Sequence, residues 1–93
     1  MPYIKKDDRK QYEEEIQLLL NKLVAVSENN EDDVCGHMNY IISSLLKKYV
    51  AEKGERYFRY NDLIGMLECV KLEMYRRQIL SYEDKAIEKN GDI

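Results

Sequence analysis

The stretch Asn61–Leu80, NDLIGMLECVKLEMYRRQIL, decides the fold. Its apolar residues fall at Leu63, Ile64, Leu67, Val70, Met74 and Gln78/Ile79. That is the three/four spacing of one face of a helix, not the alternation of a strand. Asn61 is placed to cap the first turn, since its short side chain can accept a bond from an orphan helix N–H, and Asp62 suits the positive end of the dipole. Gly65 costs about 1 kcal/mol in a helix interior relative to alanine. Its presence is explained if a neighbouring helix approaches closely there.

Working outward, two further stripes of the same kind precede this one. Tyr12, Ile16, Leu19, Leu20, Leu23 and Val24 trace a face opposite Lys, Arg and Glu, which predicts a helix over about 8–26 capped by Asp7 or Asp8. Val34, Met38, Ile41, Ile42, Leu45, Tyr49 and Val50 predict a second over 33–53. Asp32 or Asp33 would start it and Gly54 would end it in the C′ position, with Lys47, Lys48 and Lys53 near the negative dipole end. The acidic segment Ser27–Asp33, SENNEDD, reads as an exposed connection whose length suits an antiparallel helix pair. Before Asn61, ERYFRY (55–60) reads as a loop that inserts Phe58 into the core. After Leu80, SYEDKAIEKNGDI continues as a short helical segment over 82–89 that stops at Asn90/Gly91. At the other end, Met1–Lys6 is a lead-in in which Pro2 disfavours helix at Met1 and Tyr3 and Ile4 can pack on the body.

The expected architecture is therefore all-α, a single domain over 1–93 of three to four helices with an antiparallel first pair. The stripes are expected to form its core. A chain of 93 residues buries only about 60 to 65% of its unfolded surface, so a homo-oligomer is expected as well. No apolar run reaches the roughly 20 residues a membrane span needs, because Gln17, Asn21 and Lys22 interrupt the longest. The formal net charge of −3 argues against binding to duplex nucleic acid, which calls for a basic excess. Two cysteines, Cys35 and Cys69, in predicted helices of a chain with no signal peptide fit a reduced, cytoplasmic setting without a disulfide.

Aromatic usage is lopsided, with eight tyrosines, one phenylalanine and no tryptophan. Tyrosine pairs an apolar ring with a hydroxyl that needs a partner, so it favours partly buried positions and interfaces. Two Tyr/Arg groups stand out: Arg56, Tyr57, Arg59 and Tyr60 before the third helix, and Tyr75, Arg76, Arg77 and Tyr82 at its far end. A nucleotide-like ligand needs a flat ring to stack on and a guanidinium fork for phosphate, and these residues supply both. The structural alternative is that Arg77 pairs with Glu73 at i, i−4, Arg76 stays in solvent and the tyrosines pad helix interfaces. The two groups meet only across a subunit boundary or through a folded-back tail. His37, Tyr40, Ser44 and Lys48 share one side of the second helix, and His37, Tyr40 and Lys48 join the candidate ligand set.

Other chemistries find little support. Cys35, His37 and Cys69 lack the i, i+3 or i, i+4 spacing and the fourth ligand of a zinc site, so no metal or other cofactor is expected. Nor is there a nucleophile motif with an orienting partner. Glu13–Glu15 and Glu31–Asp33 read as solvated charge runs.

The strings MPYIKKDDR, GHMNYIISSLLKKY, GMLECVKLEMYRRQ and YEDKAIEKNGD together resemble a family of small, uncharacterised proteins from phages and prokaryotes, over almost the whole chain except the acidic connection. The resemblance implies no activity. Such proteins often carry proline just before the YED segment, where this chain has Leu80–Ser81, which argues against a sharp break there. A phage setting suggests, by analogy of size, helical class and Tyr/Arg content, a non-enzymatic anti-defence protein that sequesters a nucleotide-derived immune signal in the host cytoplasm. The competing expectation is a protein–protein interaction module that inhibits or adapts a host or phage partner through the same surface. An enzyme acting through His37 or Cys69 is the weakest reading.

Overall fold

The computed structural model describes residues 4–93. The expectations for Met1, Pro2 and Tyr3 lie outside the described residues. The described chain is all-α, with helices α1 (Lys6–Asn29), α2 (Val34–Lys53), α3 (Tyr57–Met74) and α4 (Leu80–Asn90). A 3-10 turn, Glu31–Asp33, precedes α2, and a π-helical turn, Tyr75–Ile79, joins α3 to α4. The backbone divides into two compact units, residues 4–55 and Arg56–Ile93.

In the first unit, α1 starts earlier and ends later than its apolar stripe. Lys5 occupies the N-cap position without a side-chain bond, and Asp7 and Asp8 sit inside the first turn, where their charge complements the dipole instead of capping it. Ile4, expected to pack, is exposed. Because α1 runs on through Asn29, the connection shrinks to Asn30 and the 3-10 turn. Asn30 is the cap in fact: its Oδ1 accepts the Asp32 N–H at 3.1 Å. Asp33 holds the N-cap position of α2 but already has helical backbone and makes no cap bond. Gly54 ends α2 as its sequence position suggests, at φ 104°, with its N–H donating to the Val50 carbonyl at 2.8 Å.

The second unit departs further from expectation. Arg56, extended at φ −146°, is the N-cap of α3, and Tyr57–Tyr60 form its first turn. Of the segment ERYFRY, read as a loop, only Glu55 and Arg56 lie outside the helix, and Asn61 lies within it. Phe58 is 53% exposed and is covered on one side by the Arg59 guanidinium, 5.0 Å from the ring centroid, a cation–π contact. An added Cβ at Gly65 would meet nothing within 4 Å, so no helix approaches it.

No sharp break follows Leu80, as the missing proline suggests. The Leu80 N–H donates to the Tyr75 carbonyl five residues back, and helix continues until Gly91 stops it at φ 88°. The reason lies in the apolar spacing. Met74 and Ile79 are five apart, and in an α-helix of 3.6 residues per turn the fifth residue falls about 140° round the axis. A π turn accommodates one extra residue, which brings Ile79 back toward the stripe of Leu63, Leu67, Val70 and Met74.

The stripes do not form a core in the single chain. Val50, 5% exposed, is the one buried hydrophobic side chain among the described residues. Leu23, Val26, Ile41, Leu46, Leu63 and Leu67 are half-buried, while Ile16, Leu20, Leu45 and Ile64 face solvent. The physical reason is that a helix face is buried only by a second layer. The first unit has two helices that touch each other at few points, and the second is a succession of helical segments touching end to end. The seven described tyrosines are likewise exposed instead of partly buried.

Candidate functional site

The π turn gathers the most chemically distinctive side chains. Glu73, in the last turn of α3, is half-buried, and two arginines converge on it. Arg77 Nε donates to Glu73 Oε2 at 2.9 Å, and Arg76 Nη2 donates to Oε1 at 3.2 Å. The spacings are i, i+4 and i, i+3, the two that bring helix neighbours together. The Arg77 bond holds the Glu73 carboxyl below its ordinary range; partial burial opposes this, and the Arg76 bond and both arginine charges add to it. Two guanidinium groups on one carboxylate carry one net positive charge, and they remain largely open to solvent, at 64% for Arg76 and 54% for Arg77. The bond from Arg77 follows from the sequence spacing. Arg76 stays in solvent, as the structural alternative has it, and from there adds a bond to Glu73 not expected from the sequence. Tyr75 is in the same turn and Tyr82 follows in α4, both exposed.

The other Tyr/Arg group lies at the far end of the same unit. Arg56, Tyr57, Arg59 and Tyr60 open α3, about 25 Å along the helix from Arg76 at 1.5 Å per residue. Helix runs on through the π turn, so no folded-back tail returns Tyr75 and Tyr82 to them. The two groups are not brought together within one chain.

The remaining candidates belong to the first unit. His37 and Tyr40 line a groove of about 510 Å³ between the end of α1 and the start of α2. Leu19, Leu23, Val26 and Ile41 make its wall apolar, Gly36 leaves its floor open, and Lys22 stands at its edge. Lys48, further along α2, is exposed and does not line it. The groove is absent from a reading of stripes alone because it is made where two helices diverge from a turn. Its one sequence signal is Gly36, a small residue opposite the apolar end of α1.

Cys35 and Cys69 are free and exposed. Among the described residues, no group of three His, Cys, Asp or Glu side chains is placed to hold a metal ion, and no helix is long and apolar enough to cross a membrane.

No curated protein and no solved structure matches the chain. A family model does, over residues 1–93, and the chain belongs to that family, described as a domain of unknown function (DUF6899).

Proposed function

We propose that this chain is a non-enzymatic binding protein whose segment Tyr75–Tyr82 captures a small anion of nucleotide type. The observation that carries this reading is the exposure of Arg76 and Arg77, whose two charges Glu73 only half neutralises, in a π turn flanked by exposed tyrosines. Turns of this kind are rare and lie frequently at functional sites. The arginine pair offers a positive charge and planar N–H forks for phosphate, and Tyr75 and Tyr82 offer faces for a base. Arg56, Tyr57, Arg59 and Tyr60 join the ligand from another copy of the chain, and His37, Tyr40 and Lys48 form a separate polar edge on an antiparallel α1–α2 pair. In a phage-encoded setting, the role would be removal of a nucleotide-derived immune signal from the host cytoplasm.

Native mass spectrometry against a panel of cyclic di- and trinucleotides and ADP-ribose derivatives tests this. A discrete mass increment at fixed stoichiometry supports sequestration. Replacing both Arg76 and Arg77 by alanine should then abolish the increment while leaving the helical circular-dichroism signal intact. Unchanged binding by the double variant would remove the arginines from the site.

A second reading is favoured by a different observation. Tyr57 is 84% exposed and stands with other uncovered tyrosines and apolar stripes, the residue types that anchor protein interfaces. A protein partner retained at one-to-one stoichiometry, with no small molecule carried along, would support an interaction module instead.

A further inference from the structure

The chain's accessible surface is 8815 Å². Two separate compact bodies of the sizes of its two units would together expose only about 6,700 Å². The surplus, about 2,000 Å² per chain, exceeds the roughly 800 Å² per partner of a standard stable interface. It falls instead in the range of obligate homodimers, about 1,000 to 2,500 Å² per partner.

Part of this uncovered surface lies on the first unit, where it is apolar and concave. Leu19, Leu23, Val26 and Ile41 wall the groove between α1 and α2, and Ile16 and Leu45 extend the exposed apolar surface along each helix. Charge on the same two helices is unevenly spread, with Arg9 and Lys10 one turn before an acidic run on α1 and Glu52 one turn after a basic pair on α2. Glu13, Glu14 and Glu15 form an acidic block on α1, and Lys47 and Lys48 a basic one on α2. Among the described residues Glu13, Glu14, Glu15, Lys47 and Lys48 take part in no salt bridge within the chain. One chain therefore carries both halves of a complementary pairing.

We infer that the α1–α2 face is a self-association surface, occupied by the α1–α2 face of a second copy. A twofold arrangement places groove against groove, as in a four-helix bundle. With that axis parallel to the helices, α1 of each copy lies beside α2 of the other, and Glu13 and Glu15 come level with Lys47 and Lys48, which stand about as far beyond the connecting turn as the glutamates stand before it. A foreign protein would have to supply both the apolar area and the two charge blocks in matching order. Self-association is independent of what the Tyr/Arg segment binds.

The test uses the full chain. Sedimentation velocity over a hundredfold concentration range should show a dimer or an even multiple of it, with helicity that falls on dilution. Two charge-reversed variants then probe the pairing. The first carries Glu13→Lys, Glu14→Lys and Glu15→Lys, and the second Lys47→Glu and Lys48→Glu. Each alone should associate at least tenfold more weakly than the parent, and an equimolar mixture should recover the parent's mass as a one-to-one complex. These side chains are exposed, so the substitutions remove no buried contact within the chain, and recovery of both mass and helicity in the mixture separates lost association from lost fold. Three results would overturn the inference. They are a fully helical monomer at all concentrations, a poorly helical monomer that orders only with another protein, and variants that associate separately as well as the parent.

Discussion

The backbone N–H of Leu80 donates to the carbonyl of Tyr75, five residues earlier, and this bond lets one apolar stripe continue from α3 into α4. The extra residue taken up there separates Met74 from Ile79 by five positions where four would suffice for an α-helix.

Deleting Gln78 should close the π turn into an ordinary helical one, with the former Ile79 then four residues after Met74. The stripe stays in phase, so the thermal midpoint should be unchanged or raised. Ligand capture should weaken if the local geometry of Tyr75–Tyr82 matters to it. A circular-dichroism melt and the mass-spectrometric binding assay separate the two effects. A large fall in midpoint would show that the turn itself carries packing.

Glu73 links stability to pH. Its folded-state carboxyl titrates below its unfolded value, chiefly through the Arg77 hydrogen bond. Its contribution is therefore complete above the ordinary glutamate range and disappears as pH falls through the lowered folded value. The parent should melt slightly above Glu73→Gln at neutral pH, and the gap should close in acid below the ordinary glutamate range. Exposure of both arginines keeps the difference small and makes it sensitive to salt. A gap that persists unchanged in strong acid would mean that Glu73 acts through packing alone.

Two glycines should respond with opposite signs. Gly65→Ala, in a helix interior with open space around the added Cβ, should stabilise by about 0.5–1 kcal/mol. Gly54→Ala, at φ 104° and ψ 142°, forces a side chain into backbone that essentially only glycine adopts and should cost about 1–3 kcal/mol. Thermal or chemical denaturation at fixed protein concentration reads both. Destabilisation by Gly65→Ala would show that another chain packs against that position.

The helical class was legible in the sequence because three-and-four spacing repeats in every stripe, and the stops at Gly54 and Asn90/Gly91 because glycine at C′ has a specific backbone use. The start of α3 was not legible. Arg56 caps it without a side-chain bond, and aromatic residues at Tyr57–Tyr60 carry no helix-start signal, so the segment reads as a loop. At the candidate site, the Arg77–Glu73 bond could be read from i, i+4 spacing. The groove beside His37 and Tyr40 could not, because it depends on how two helices diverge. The stripes also announced a core without saying whether one chain or several would complete it.

The contacts of this molecule are almost all between residues close in sequence. Such topology leaves little loop-closure entropy to overcome, and helical segments of this kind form within about microseconds. On the self-association proposed above, the slow event is the meeting of molecules. The rate at which the mature state appears should then scale with concentration, so a newly made chain would mature quickly where other copies are abundant and linger exposed where they are scarce.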